Sequence, residues 1–148
     1  MKQKLINEFK MNLLARSSNE SFARVAIAAF ITQLDPTIDE ICDIKTAVSE
    51  AVTNCIVHAY KEKLGQIYIT VRIYEGGNVM IKIKDRGCGI PDIPQAMEPM
   101  FTTAGGERAG LGFAVMQSFM DKLKVVSKVG SGTTVTFTKQ LQLRGQND

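Results

Sequence analysis

Tryptophan is absent from this 148-residue chain, which also has a single histidine, three cysteines and four prolines. Aromatic residues make up only 7% of the chain, so a base-stacking surface for nucleic acid is poorly supported. The three cysteines are an odd number and no two are spaced as CxxC, which argues against a disulfide framework and against a zinc site. We therefore expect reduced thiols and a cytoplasmic protein.

Long hydrophobic runs and a strong charge of one sign are also missing. The longest apolar run, Val25–Ile31, is far shorter than the roughly 20 residues that cross a bilayer, and the N-terminus has no apolar signal segment. The formal charge of +3 is small and the basic residues are scattered along the sequence, so we expect no direct contact with nucleic acid. Hydrophobic residues at 45% and charged residues at 22% are ordinary for a globular protein, and we expect one domain over residues 1–148.

Hydrophobic periodicity predicts a chain of mixed helices and strands. The predicted elements are a strand at Leu5–Leu14, helices at Phe22–Leu34 and about Asp39–Lys63, strands at Gln66–Tyr74 and Val79–Lys84, a helix at Phe113–Lys122, and strands at Lys124–Lys128 and Thr133–Leu141. This order indicates an α/β (α+β) two-layer sandwich with a mostly antiparallel sheet and helices on one face. The irregular stretch from Asp85 to Gly112 is long for a connection, which is typical of a functional loop.

The two N-terminal helices carry clear boundary signals. The first has a stripe of apolar residues at helical spacing and is stopped by Asp35-Pro36. The stripe is formed by Phe22, Val25, Ala26, Ala29, Phe30 and Leu34. The second helix should begin at a capping box formed by Thr37 and Glu40 and should be closed by Gly65.

Glu50 and Asn54 form the first of four polar or glycine-rich segments that packing alone does not require. They are four residues apart on the predicted second helix, so their side chains lie one above the other on one face. A carboxylate beside a carboxamide oxygen suits a general base next to a magnesium ligand, because Mg²⁺ takes one or two protein oxygens together with substrate phosphates. Taken alone, the pair is more simply explained as a solvated helix face.

The second segment, Asp85-Arg-Gly87-Cys-Gly89, directly follows an apolar strand. An aspartate at this position can accept a hydrogen bond from an exocyclic amine such as that of adenine. The two glycines allow backbone and ligand to approach closely. Taken alone, the motif also fits an ordinary turn at the exit of a hairpin.

The other two segments are glycine-rich. Gly105–Gly112, ending in Gly110-Leu111-Gly112, precedes a predicted helix, whose free N–H groups would make an anion site; a flexible loop is the alternative. Gly130–Thr134 is a hairpin turn in which Thr134 could offer a hydroxyl to a base edge. Taken alone, it is an ordinary turn.

In this order the four segments resemble the GHKL, or Bergerat, ATP-binding fold of DNA gyrase, Hsp90, sensor histidine kinases and MutL. Glu50 and Asn54 look like its N box, Asp85–Gly89 its G1 box, Gly110–Gly112 its G2 box and Gly132–Thr134 its third glycine box. Pro99–Thr103 looks like the segment that enters the ATP lid. The resemblance to this fold extends from about residue 39 to residue 137.

Length and further matches narrow the family. Gyrase, Hsp90 and MutL relatives need further domains, and the lone His58 lies inside the N-box helix rather than in a phosphoacceptor hairpin. Asn19–Arg24, Leu34–Pro36, Val48–Asn54 and His58–Tyr60 are similar to the bacterial anti-sigma serine kinases, and this resemblance covers nearly the whole chain. It implies a protein, usually a homodimer, that binds a sigma factor and uses ATP to phosphorylate a serine on a small anti-anti-sigma protein, releasing ADP.

The resemblance also implies roles for individual residues. Asp85 would bind the adenine amino group with support from Thr134, while Asn54 would hold Mg²⁺ and Glu50 would accept the serine proton. The remaining nucleotide contacts would come from Gly87, Gly89, Thr103, Gly110, Leu111 and Gly112, and Arg108 would neutralise charge on the γ-phosphate. Arg24, expected opposite the apolar stripe of the first helix, is a candidate for sigma-factor binding. Three alternatives stay open: a switch kinase that binds no sigma factor, a nucleotide-dependent binding module, and a simple ATP hydrolase.

Overall fold

The computed structural model describes residues 3–60, 64–90 and 109–142. Within them, five strands form one sheet in the order β1-β2-β3-β5-β4, and every adjacent pair is antiparallel. The strands are β1 (Leu5–Leu14), β2 (Gln66–Tyr74), β3 (Asn78–Asp85), β4 (Lys122–Lys128) and β5 (Gly132–Gln140), and the helices are α1 (Ser18–Ile31), α2 (Ile38–Asn54) and α3 (Ala109–Phe119). The predicted α+β sandwich is confirmed. No helix in the described ranges is long and apolar enough to span a membrane.

The core lies between the three helices and one face of the sheet. Alternate residues of the central strands point to this face because successive side chains of a strand point to opposite sides. They are Ile67, Ile69, Val71, Ile73, Val79, Ile81, Ile83, Val135 and Phe137, all buried. From the helices, α2 contributes Ile44, Val48 and Val52, and α3 contributes Met116. The other face of the sheet is not covered by the described helices.

Helix α1 begins earlier than predicted and buries a different face. It begins at Ser18 and buries Ala23, Ile27 and Ile31 completely, whereas Phe22 and Val25 are 56% and 55% exposed. The predicted stripe was therefore wrong. Apolar residues occupy most positions of the second half of α1, so their spacing alone does not define one face, and packing against α2 decides it.

Helix α2 begins at the predicted capping box but ends before the predicted residue. The Glu40 N–H donates to Thr37 Oγ1 at 3.0 Å, and the Thr37 N–H donates to Glu40 Oε1 at 2.8 Å. The α-helix ends at Asn54, and a wider π-helical turn follows at Cys55–Ala59. Residues 61–63, at the predicted end of this helix, lie outside the described residues.

Helix α3 begins at Ala109, four residues before the predicted Phe113, and ends at Phe119. Gly110 and Gly112 therefore lie in its first turn instead of in the loop before it. Its predicted last residue, Lys122, is the first residue of β4. The predicted lid segment Pro99–Thr103 falls within residues 91–108, outside the described residues.

Candidate functional site

A buried carboxylate ends strand β3. Asp85 is only 5% exposed, and its Oδ1 accepts hydrogen bonds from the N–H groups of Gly87 at 2.9 Å and Thr133 at 3.1 Å. Its Oδ2 accepts from the Cys55 thiol, with Sγ at 3.7 Å. Burial raises the pKa of Asp85 above its ordinary value, although the two backbone N–H groups act in the opposite direction. This carboxylate therefore joins β3, β5 and the end of α2.

The two oxygens of Asp85 differ in how fully they are used. Two backbone N–H groups occupy Oδ1, whereas Oδ2 has a long contact to a thiol, which is a weak donor. A carboxylate oxygen has two lone pairs, so Oδ2 retains the capacity to accept a stronger donor. Burial and the nearby Asp85 charge raise the pKa of Cys55 well above its ordinary value, so this thiol stays protonated and remains a donor. The arrangement is a fixed acceptor for an amine.

Thr133, rather than Thr134, lies beside this carboxylate. Thr134 pairs with Lys84 in the β3–β5 ladder, so its side chain shares the uncovered face of the sheet with that lysine. Thr133 points to the helix side, is 8% exposed and donates its backbone N–H to Asp85. The expectation that the Thr134 hydroxyl supports Asp85 was therefore wrong by one residue of strand register.

The predicted pair on α2 is connected to the Asp85 site through Cys55. Glu50 and Asn54 are both partly buried, and Asn54 directly precedes Cys55, whose thiol contacts Asp85. The side-chain nitrogen of Asn54 is buried and has no hydrogen-bond partner among the described residues. Because an unpaired buried amide costs roughly 1–3 kcal/mol, this group fits an external partner such as a phosphate oxygen or, through its carbonyl oxygen, a cation.

No group of three or more histidine, cysteine, aspartate or glutamate side chains that could hold a metal occurs within residues 3–60, 64–90 and 109–142. The carboxamide oxygen of Asn54 is a ligand type compatible with Mg²⁺, since that ion takes most of its ligands from water and substrate phosphates.

Three glycines allow the backbone segments around Asp85 to meet. A Cβ at Gly87 would lie 2.3 Å from the Ala59 carbonyl oxygen, one at Gly89 would lie 2.3 Å from that of Lys128, and one at Gly132 would lie 2.2 Å from that of Asp85. The predicted close approach of a ligand to Gly87 and Gly89 stays a prediction. The structure adds a close approach of backbone to backbone at the same glycines.

The N-terminus of α3 belongs to the same layer as α2, against which α3 packs. Gly110, Leu111 and Gly112 lie in its first turn, where backbone N–H groups have no partner within the helix. This turn therefore has the donors expected of an anion site. The predicted contacts Thr103 and Arg108 lie outside the described residues.

Two polar side chains that hold these segments together, Tyr60 and Ser127, were not predicted from the sequence. The Tyr60 hydroxyl donates to the Gln66 carbonyl at 2.7 Å and accepts the Arg86 N–H at 2.6 Å. The Ser127 Oγ accepts the Ile90 N–H at 2.7 Å and lies 2.7 Å from Thr133 Oγ1. A serine in a strand and a tyrosine at a helix end give no local signal, because one partner of each, Ile90 and Arg86, is distant in sequence.

Arg24 lies on α1, away from this site. Its Nε is 3.4 Å from Glu20 Oε1, and its side chain is 37% exposed. The exposed side chains of Phe22 and Val25 lie on the same helix, two residues before it and one after it. Arg24 is thus a partly exposed residue of α1 that pairs with Glu20 one turn earlier.

Comparison with known proteins identifies the class that this fold and site define. The family model described as a histidine kinase-like ATPase domain matches residues 14–139. The chain therefore belongs to the histidine kinase-like ATPase family, as the glycine boxes and the N box indicated.

Two proteins with similar sequences are named as anti-sigma F factors. The chain is 56% identical over 137 residues to the anti-sigma F factor of Thermoanaerobacter sp. (strain X514), an alignment that covers 91% of this chain and 94% of that protein. It is also 56% identical over 140 residues to the anti-sigma F factor of Clostridium botulinum (strain Eklund 17B / Type B), covering 92% and 97% of the two chains.

Two solved structures share the fold. The structure of the RsbU and RsbW domains of a Mycobacterium tuberculosis protein matches with a TM-score of 0.68 at 21% identity, over 92% of this chain and 33% of that one. The mycobacterial sensor histidine kinase MprB matches with a TM-score of 0.56 at 15% identity, over 90% and 100% of the two chains. At these identities the likeness concerns the fold alone.

Proposed function

We propose that this chain is an anti-sigma factor and an ATP-dependent protein serine kinase. It binds a sporulation sigma factor of the sigma F type and phosphorylates a serine of a small anti-anti-sigma protein. One observation carries the proposal: a chain 56% identical to an anti-sigma F factor over nearly its whole length has Glu50 and Asn54 in the last turns of α2, and the next residue, Cys55, contacts the buried carboxylate of Asp85.

The buried carboxylate supports a preference for adenine. In the proposed complex, Oδ2 of Asp85 accepts the adenine amino group, while Oδ1 stays bonded to Gly87 and Thr133. Guanine has a carbonyl at the corresponding edge, which would place two acceptors opposite each other without a proton. A buried unpaired polar group costs roughly 1–3 kcal/mol, and more when it is charged, so ATP is preferred over GTP.

The phosphate end of the nucleotide is proposed to lie between α2 and the N-terminus of α3. The carboxamide of Asn54 would hold Mg²⁺, which when bound neutralises charge on the phosphates. The backbone N–H groups at Gly110, Leu111 and Gly112 would donate to phosphate oxygens. Thr103 and Arg108 remain proposed contacts of the phosphates.

Glu50 is the proposed general base. The serine oxygen attacks the γ-phosphorus, the serine proton passes to the Glu50 carboxylate, the bond from the γ-phosphorus to the bridging oxygen breaks, and ADP leaves. Phosphoryl transfer depends mainly on positioning and charge stabilisation. A base on the rigid α2 helix, one turn before the proposed magnesium ligand, meets this requirement.

The partner surface is proposed to include Arg24. Phe22 and Val25, which are three residues apart on the same helix and expose more than half of their area, would supply an apolar part of that surface. We also propose a homodimer, a single domain over residues 1–148 and a cytoplasmic location, on the basis of the family resemblance.

A Glu50→Gln variant tests the kinase assignment. The substitution is nearly isosteric but cannot take the proton, so transfer from γ-labelled ATP to a small anti-anti-sigma protein should fall by about 10²–10⁴-fold. Binding of ATP and of the sigma factor should change little in the same preparation. Transfer at the parental rate would remove Glu50 as the base. Sigma binding with no transfer by the parent protein would indicate a binding module, and transfer without sigma binding would indicate a switch kinase.

A further inference from the structure

The uncovered face of the sheet gathers basic side chains that are scattered in the sequence. Residues on this face alternate with the buried residues of each strand and pair with one another across the ladders. Its cations are the strand residues Lys10, Arg72, Lys82, Lys84, Lys122, Lys124 and Lys128, together with Arg86, which lies over Tyr68. Its one carboxylate in the described strands is Glu8, which pairs with Arg72.

The charge of this face exceeds that of the whole chain. Eight cations against one carboxylate leave it at +7, whereas the chain carries +3, so the rest of the chain is at −4. All six lysines are exposed, and none forms an ion pair with a residue in the described ranges. Like charges on one face repel each other and leave a positive potential that a polyanionic partner would relieve. A second copy of this chain, docked face to face, would increase that repulsion.

Three of these lysines lie in one row of residues that are paired across the sheet, and they are regularly spaced along it. One row crosses all five strands as Lys10, Thr70, Lys82, Thr136 and Lys124, each residue paired with the next. Because adjacent strands lie about 4.7–4.9 Å apart, the three lysines follow each other at roughly 9–10 Å, separated by short threonines. Residues seven apart on an α-helix lie on one face and are about 10.5 Å apart along its axis. Carboxylates at that interval match the row.

We propose that this lysine face docks an acidic helical segment of a partner protein, lying across the strands with carboxylates at seven-residue intervals. A helix fits better than nucleic acid for two reasons. Both arginines of this face already have a partner within it, since Arg72 is held by Glu8 and Arg86 stacks on Tyr68. Of the aromatic rings on this face, Tyr68 is already covered by the Arg86 guanidinium, 4.8 Å from its centre, which limits base stacking.

Fluorescence anisotropy with a synthetic peptide tests this docking. The probe is an alanine-rich helical peptide with glutamates at positions i, i+7 and i+14, and the control peptide has the same composition with the middle glutamate moved to i+9, on the opposite helix face. The probe should bind at low ionic strength more tightly than the control, and binding should weaken as salt is added. Equal binding of the two peptides would overturn the proposal.

Matched double variants locate the contact. Lys82→Ser with Lys124→Ser should weaken binding of the probe by about 2- to 30-fold, the range expected for two exposed ion pairs. Arg16→Ser with Lys45→Ser removes the same charge away from the face and should change binding much less. An equal loss in both variants would reduce the effect to net charge and contradict the proposal. Displacement of the probe by duplex DNA at lower concentration than by unlabelled probe would make this face a nucleic-acid surface and refute it as well.

Discussion

Two substitutions distinguish the structural role of Asp85 Oδ1 from the proposed ligand-binding role of Oδ2. In Asp85→Asn, the side-chain oxygen can keep both backbone N–H bonds that Oδ1 now accepts, while an NH₂ group replaces Oδ2. That NH₂ would face the adenine amino group, donor against donor. Loss of one charge-assisted hydrogen bond is worth about 1.5–3 kcal/mol, so the affinity for ATP should fall about 10- to 150-fold or more.

Asp85→Ala removes both carboxylate oxygens at once. The N–H groups of Gly87 and Thr133 would lose their partner, at about 1–3 kcal/mol each, so the free energy of unfolding should fall by roughly 2–6 kcal/mol. Asp85→Asn should leave it nearly unchanged. Denaturant unfolding measures the stability, and calorimetry with ATP and GTP measures the binding. Parental affinity for ATP in Asp85→Asn, or equal affinity of the parent for both nucleotides, would refute the assignment of Oδ2 to adenine.

The pH dependence of binding follows from the same carboxylate. Burial raises the pKa of Asp85, and only the ionised form leaves Oδ2 without a proton, able to accept the amine while Oδ1 keeps its two backbone hydrogen bonds. Affinity for ATP should therefore fall on acidification already above pH 3.8, the ordinary pKa, and stay lost below it. The Asp85→Asn variant should lack this step. A parental profile that remains flat down to pH 3.8 would contradict the burial argument.

The other predictions concern individual side chains. Asn54→Ala should abolish the Mg²⁺ dependence of ATP binding with the fold intact, as shown by calorimetry with and without the ion and by circular dichroism; unchanged Mg²⁺ dependence would make Asn54 only a helix-face residue. Gly132→Ala should destabilise the protein by more than the ~1–2 kcal/mol of Gly76→Ala, because both glycines have positive φ but only Gly132 is crowded; equal denaturation midpoints would refute this. Thr133→Val should weaken ATP binding more than Thr134→Val. The reverse order would support Thr134, as first predicted from the sequence, as the threonine that assists Asp85.

Secondary structure was predictable wherever periodicity and local chemistry agreed. The β1 and β2 strands, the capping box at Thr37 and the antiparallel architecture follow from alternation and local polar groups that act within a few residues. The buried face of α1 did not, because its second half is apolar on nearly all sides. The π-helical turn at Cys55–Ala59 could not be predicted either, since it depends on contacts with segments that are distant in sequence.

The candidate site shows the same division. The types and spacings of residues were enough to select Glu50, Asn54 and Asp85 as candidates, because packing alone does not explain polar side chains at these positions. Choosing between Thr133 and Thr134 required the strand register, since two adjacent threonines point to opposite faces. The role of Cys55 was hidden as well, because a buried cysteine within an apolar stripe has the same pattern as an ordinary core residue.

The π-helical turn connects the phosphate end of the proposed nucleotide site, at Asn54, to its adenine end, at Asp85. Asn54 is the last residue before the turn, and Cys55 at its start contacts Asp85. At its end, the Ala59 carbonyl accepts the Cys88 N–H at 3.0 Å, and Gly87 lies directly against Ala59. The proposed magnesium ligand and the proposed adenine acceptor are thus held by one short element bonded at both ends. This connection depends on glycine at residue 87, because a Cβ there would lie 2.3 Å from the Ala59 carbonyl oxygen and would push the two segments apart.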